Sequence, residues 1–416
     1  MAADRRTDIM LVLVRFLACG FYVLPLVRLV SFKLSGMALP ISALNSFFAL
    51  ALLCSSLFYS RALRIGHSVL LAVLMFTVQM FLFAGTVVYR KGSFESSDLA
   101  TAWIYFVSPV LFVFAGGLFS NGIAERDLPV IRRRTEYWLN VAGWALLLGA
   151  FINGLDVVIL GDSYSTVYEK FATTSPATFG DWTLPRLSGA YFSGLDFAMA
   201  VIVLMALRHY SNLPPSRWMT LTLYLLACMT FTRNAYVILM VWMFLRKAAP
   251  RRVAKLSSMI YLLGPILSIA VVAIMLAQTA AGQLEVSAES SSMLTRMASW
   301  LAIYQQFAGT PSATFVGLGL TQNALIPGES DVYAIDNFYL ELLCYSGLVA
   351  YICYGLLFKG IRHKALNIQG GVGSTALMLL LFVPVMGVFN NMVGSMLCSA
   401  LFFVCGLLAL TSRSES

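Results

Sequence analysis

The sequence predicts an all-α polytopic membrane protein with about twelve transmembrane helices, and three observations carry that prediction. The 416 residues are 59% hydrophobic and only 11% charged, with a mean hydropathy of +0.82, whereas a soluble domain carries roughly 25% charged residues. Apolar runs of about 20 residues, each long enough to cross a bilayer as a helix, recur from end to end. Lys and Arg gather in alternate loops, the pattern that sets membrane orientation. The runs are too long for barrel strands, and irregular backbone in lipid would leave its polar groups unsatisfied. The chain reads as a single integral membrane domain, 1–416.

The first apolar stretch, Ile9–Val30, follows Arg5 and Arg6 and shows no small-residue cleavage site, so it reads as a retained span rather than a signal peptide. Further stretches lie at 38–59, 66–88, 99–120, 138–160, 189–207, 218–232, 234–246, 257–278, 336–358, 372–389 and 392–411. The pair 218–232 and 234–246 has two readings: one tilted helix with Arg233 in its middle, or two short crossings meeting at Thr232, Arg233 and Asn234. The charges favour two crossings. The loops around Arg61, Arg132–Arg134, Arg208–Arg217, Arg246–Lys255 and Arg362–Lys364 then share one side with both termini, and nineteen of the 28 Lys and Arg residues lie there. By the positive-inside rule that side is cytoplasmic. The +9 net charge is explained by this topology, with no need for a nucleic-acid partner.

The inner loops are short, which excludes a cytoplasmic ATPase, kinase or nucleotide-sugar domain, and no GxxxxGK[ST] run is present. Chemistry is therefore expected in the membrane or at the outer face. Three outer segments stand out: Tyr89–Asp98, a loop at 161–188, and a large loop at 279–335 between the ninth and tenth spans. Loops longer than about 15 residues are uncommon unless functional. In the large one, Leu294, Met297, Ala298, Leu301, Ile303 and Tyr304 recur at helical spacing beside Trp300 and Phe307, which predicts an amphipathic helix at the membrane surface. Pro311 is expected to end it, and VGLGL with Pro327–Gly328 to supply turns.

Arginines at membrane depth are costly unless paired or facing a polar cavity. Arg186, Arg233 and Arg296 each sit near a helix end on the expected outer face, and converging they would clamp phosphate or pyrophosphate. Arg90 reads instead as an interfacial residue reaching headgroups. At the start of the tenth span, Asp336 has two readings, a helix N-cap or a base that takes a proton from an attacking hydroxyl. Asn337 and Glu341 are four residues apart and share a face. Asn337 and Asp196, in the sixth span, are candidates for binding a sugar acceptor, and Glu341 is a candidate catalytic carboxylate. His67, His209 and His363 all fall at inner boundaries, so no histidine base or histidine metal centre is available outside. Glu329, Asp331 and Asp336 lack calcium or magnesium spacing. Metal-independent chemistry without a cofactor is expected. The seven cysteines all lie in apolar runs and read as packing residues.

Four segments, taken in order, resemble the Wzy-like polysaccharide polymerase and O-antigen ligase superfamily. LPRLSGAYFSGLDFAMAVIVL is similar to that family's Arg-Leu-Ser-Gly stretch opening a span. LLACMTFTRNAYVILMVW is similar to its Thr-x-Ser-Arg-Gly stretch between two spans. SMLTRMASWLAIYQQFAGTPSATFVGLGL resembles its Arg…Trp…Gly-x-Gly loop segment, and DNFYLELLCYSGLVAYICYGLLF the span that follows. Together they cover about 186–358. The resemblance implies a GT-C type fold and transfer of oligosaccharide from undecaprenyl pyrophosphate at the periplasmic face of a bacterial inner membrane. It implies that Arg186, Arg233 and Arg296 bind the pyrophosphate and that a polar residue opening the late span assists the acceptor. Many relatives carry histidine there; this chain has Asp336. Asn234 and Thr232 also depart from the glycine and serine of the family pattern. These departures fit a polymerase better than a lipid A-core ligase. The expected activity is a polysaccharide polymerase acting on lipid-linked repeat units, with membrane lipid and a chain-length regulator as further partners. A lipid-linked oligosaccharide ligase and a polysaccharide or lipid transporter are the alternatives. A transporter would show paired, Gly/Pro-broken spans in two matching halves, and no such pairing is visible.

Overall fold

A computed structural model describes residues 2–35, 41–59, 67–122, 128–160, 177–179, 182–184, 187–191, 194–280, 300, 303–319, 323–325, 332–334, 337–368, 371–388, 392 and 395–409. These residues are largely helical. α1 (Ala2–Leu17) runs through a π-helical stretch, Ala18–Val23, into α2 (Leu24–Ser35). α3 (Ile41–Tyr59) and α4 (His67–Lys91) follow. α5 (Ser96–Ala102) joins α6 (Ser108–Gly122) through a second π-helical stretch, Trp103–Val107. Then come α7 (Leu128–Leu160), α8 (Gly194–Tyr210), α9 (Arg217–Cys228), α10 (Arg233–Leu245), α11 (Pro250–Ala280), α12 (Phe338–Asn367), α13 (Gly371–Gly387) and α14 (Met396–Ala409).

The protein is a polytopic helical membrane protein. Among the described residues six helices are long and apolar enough to cross a bilayer: Ile9–Ser35, Val69–Lys91, Ser96–Phe119, Pro129–Leu155, Pro250–Ala270 and Phe338–Asn367. Shorter apolar helices lie at Leu44–Leu57, Ala235–Leu245, Gly371–Gly387 and Met396–Leu408. The region around Arg233 forms two helices rather than one continuous helix. With 12 and 13 residues, α9 and α10 are each about 18–20 Å long, well short of a hydrocarbon core of about 30 Å.

Two short antiparallel strand pairs accompany the helices. β1 (Ala177–Phe179) pairs antiparallel with β2 (Trp182–Leu184), and β3 (Asn323–Leu325) with β4 (Val332–Ala334). In the first pair Phe179 lies opposite Trp182 in the register, with two residues between the strands. Hydropathy over long windows does not register such short pairings.

Two compact units divide the chain: 1–51, 122–253 and 365–379 in the first, and 52–121, 254–364 and 380–416 in the second. In the first, α8 is the central element. Its residues from Gly194 to Arg208 are almost all buried, as befits a helix apolar on every side, and it packs on α7, α9 and α10. Arg208 closes it by donating to Asn140 Oδ1 at 2.7 Å. In the second unit, α4 packs on α5 and α14, around the edge-to-face rings of Phe76, Tyr354 and Phe402.

Two prolines lie inside helices of the second unit, and each removes one backbone hydrogen bond. Pro265 in α11 leaves the Tyr261 carbonyl without its helical donor, and Tyr351 donates its hydroxyl to that oxygen at 3.0 Å. Pro384 in α13 does the same to Leu380, whose carbonyl accepts from Ser257 Oγ at 2.9 Å. In a membrane-buried backbone these two side chains stand in for the lost N–H groups.

Candidate functional site

Within the first unit, Leu187–Tyr191 forms a tight turn with several anchors. Asn153 of α7 is fully buried, and its Oδ1 accepts from the backbone N–H of both Ser188 (2.8 Å) and Gly189 (2.9 Å). Gly149, one helical turn earlier on α7, lets the turn come close: a Cβ there would lie 2.9 Å from that of Ala190. Tyr191 donates to the Phe21 carbonyl in the first π-helical stretch at 2.7 Å. Leu187 N–H donates to the Met229 carbonyl at 3.1 Å. Gly189 has φ +58° and faces the Phe197 ring, so the turn requires glycine.

That last bond matters because Met229–Thr232 is the break between α9 and α10. Phe231 adopts φ +46° there, an uncommon conformation for a bulky residue. Thr232 is the residue before α10, and Arg233 is its first helical residue. A Cβ on Gly194, at the start of α8, would lie 3.1 Å from Thr232 Oγ1. Leu187, next to Arg186 in the chain, is thus bonded to Met229, four residues before Arg233. Asp196 is in the first turn of the same α8, half-buried. Arg186 itself lies outside the described residues, as does the side chain of Arg233.

In the second unit the late span begins differently from the sequence expectation. The cap of α12 belongs to Asn337: its Oδ1 accepts from Leu340 N at 2.9 Å, the i to i+3 bond of an N-cap. The capping role read for Asp336 is therefore filled by its neighbour; Asp336 lies outside the described residues. The Asn337 side chain is fully buried, and its Nδ2 donates to Ser268 Oγ and to the Val388 carbonyl, both at 2.8 Å. Ser268 passes its own hydroxyl to the Gly264 carbonyl at 2.8 Å. Glu341, also fully buried, accepts from the Tyr105 hydroxyl at 2.6 Å. Tyr105 lies in the second π-helical stretch, a register often found at functional positions. No sequence pattern pointed to Tyr105, Asn153 or Ser268, because each acquires its partner from a distant part of the chain.

The expected continuous span at 336–358 is broken. Ser346 (φ −147°, ψ 17°) and Gly347 (φ 64°, ψ −153°) interrupt α12, and the VGLGL loop docks on the break. Gly317, at φ +92°, lies so close that its Cβ would be 2.6 Å from Ser346 N, and a Cβ on Gly347 would be 2.4 Å from Phe315 C. Leu318 N–H donates to the Cys344 carbonyl at 2.7 Å. Arg90, expected to reach lipid headgroups, donates to the Leu318 carbonyl at 2.6 Å.

The loop helix is present at 303–309 and stops ahead of Pro311. Its apolar side chains do not lie on lipid alone. Trp300 and Ile303 are buried with Leu318, Leu340 and Cys344, and Tyr304 and Phe307 pack against them. Burial, with a smaller contribution from Cys344, pushes the Tyr304 phenol up to about 12. Arg296, Leu294, Met297, Ala298 and Leu301 lie outside the described residues. Among those described, no three His, Cys, Asp or Glu residues gather as a metal site. No protein-family model matches the chain, and no curated protein matches it.

Proposed function

We propose that the protein is a polysaccharide polymerase of the bacterial inner membrane, with a GT-C-like arrangement of about twelve spans. In this reading it transfers undecaprenyl-pyrophosphate-linked oligosaccharide onto a second lipid-linked repeat unit at the periplasmic face. The observation that supports this most directly is the bond from Leu187 N–H to the Met229 carbonyl. It ties the turn after Arg186 to the break before Arg233, as an anion site built from both arginines requires. Arg296 on the large loop is the third arginine that the resemblance assigns to pyrophosphate.

The chemistry follows from the leaving group. An acceptor hydroxyl oxygen attacks the anomeric carbon, the bond from that carbon to pyrophosphate breaks, and undecaprenyl pyrophosphate departs. Pyrophosphate is already a good leaving group, so it needs charge stabilisation more than protonation, and fixed arginines supply that. The hydroxyl proton passes to Asp336. Asn337, the next residue, caps the start of α12. Glu341 is the second proposed carboxylate, held by Tyr105.

Incubation of the purified protein with lipid-pyrophosphate repeat units tests this reading. A ladder of product lengths is expected. A single transferred product would make the protein a ligase, and movement of lipid without bond formation would make it a transporter. Arg233→Ala and Arg296→Ala are each expected to abolish the ladder at normal protein levels in the membrane; a variant that still makes long polymer would sink the arginine site.

A further inference from the structure

The second unit holds a crevice between α4 and α12, floored by α14. Leu71 and Met75 of α4 and Leu356, Gly360 and Lys364 of α12 line it, with the buried Cys405 of α14 beneath. It encloses about 410 Å³, its open mouth included. Gly360 makes the opening, since a Cβ built there meets nothing within 4 Å. Glycine inside a helix is less favourable than alanine, and no neighbour here needs the room. Packing therefore does not call for it; its effect is to keep the crevice open. Leu71 and Leu356 are exposed, so the crevice opens on the face that meets lipid. A smaller cavity shares Ala72, Met75 and Leu357 with the first and carries it on to Cys353. From Cys353 to Lys364 the helix advances about 16 Å at 1.5 Å per residue, close to half of a hydrocarbon core of about 30 Å. The crevice has the length of one leaflet's chains.

Lys364 supplies the other half of a lipid's chemistry. Among the described residues it is the one charged side chain that lines the crevice. It is half-buried and sits one turn beyond Gly360 on the same face of α12. The Lys and Arg asymmetry assigns that end of α12 to the cytoplasm, the side on which anionic lipids attract basic groups. A long polyprenyl chain would overrun a crevice of this length, whereas an acyl chain fits it. We propose that the crevice binds an anionic glycerophospholipid of the cytoplasmic leaflet, with one acyl chain between α4 and α12 and Lys364 Nζ donating to the phosphate. This site stands apart from the polymerase reading. A cation in the last turn of a helix also suits the helix dipole. That role alone would affect stability and not the choice of lipid.

The test is native mass spectrometry of the full-length protein in detergent, titrated with phosphatidylglycerol and with phosphatidylcholine of the same chains. One phosphatidylglycerol is expected to be held about tenfold more tightly than phosphatidylcholine, the scale of one charge-assisted hydrogen bond. Lys364→Gln is expected to remove that preference and Lys364→Arg to keep it. Gly360→Leu adds a side chain where the structure leaves room. It is expected to weaken binding of both lipids about tenfold, the scale of about two buried methylene groups, without lowering the unfolding midpoint of the lipid-free protein. Within the Gly360→Leu protein, Lys364→Gln is expected to change phosphatidylglycerol binding less than about twofold. Equal retention of the two lipids by the unsubstituted protein would overturn the proposal. So would a Lys364→Gln protein that keeps the preference, or a folded Gly360→Leu protein that binds phosphatidylglycerol as before. The lysine variants carry the test by themselves if Gly360→Leu lowers the midpoint.

Discussion

Asn337 and Asp336 are adjacent and similar in size, and the structure gives the cap of α12 to Asn337. The cap of α12 and two further bonds, to Ser268 and Val388, all belong to Asn337. Replacing it with alanine removes an N-cap, worth about 1 kcal/mol, and leaves buried partners unsatisfied at about 1–3 kcal/mol. Asn337→Ala is therefore expected to lower stability by roughly 2–4 kcal/mol, measured as the unfolding midpoint in detergent. Asp336→Asn should leave that midpoint unchanged, because the cap is not its task, and should cut turnover strongly. An Asp336→Asn variant with full turnover would remove this carboxylate from the proposed chemistry. The two residues look interchangeable in sequence, where either could begin the span. Only the position of the first helical residue, Phe338, distinguishes them.

Helices of this protein are interrupted where a neighbour repairs the interruption. Pro265 and Pro384 free one carbonyl each, and the hydroxyls of Tyr351 and Ser257 occupy them. Tyr351→Phe is expected to destabilise by about 1 kcal/mol through the orphaned Tyr261 carbonyl. Pro265→Ala restores the N–H donor, so in that background Tyr351→Phe should cost clearly less. Equal costs in both backgrounds would mean that the hydroxyl acts elsewhere. The break at Ser346–Gly347 follows the same logic, with Leu318 N–H donating to Cys344 from the docked loop. A hydropathy window reads all three helices as continuous, since proline, serine and glycine are tolerated in membrane spans. The loop helix shows the limit of periodicity in another way. Its spacing predicts a helix and 303–309 is helical, yet the same apolar stripe suits a lipid surface or a protein face, and Trp300 and Ile303 are buried in the protein.

At the scale of the whole molecule the open question is sidedness. Were α9 and α10 each to cross, the loops at 211–216 and 246–249 would share one side, and 161–188 and 279–335 the other. Single cysteines introduced at Ser163, Ser287 and Ala248 into a cysteine-free background test this with a membrane-impermeant thiol reagent on intact cells. The first two are expected to label and the third to label only after permeabilisation. Labelling of Ala248→Cys in intact cells would mean that α9 and α10 cross once together, and the two-crossing topology would fail. The prediction rests on charge: moving either basic loop outward would break the Lys and Arg asymmetry.

Helix-rich membrane character, the division at Arg233 and the turn signals at Gly317 and Gly319 were legible in the linear chain, because each depends on local composition or on charge counted along it. The partners of Asn153, Asn337 and Glu341 were not. Their bonds span 35, 69 and 236 residues respectively, and nothing in a single sequence says which buried donor meets which acceptor. The lipid-like solvent demands that every polar group inside be satisfied, but the choice of partner comes from packing alone.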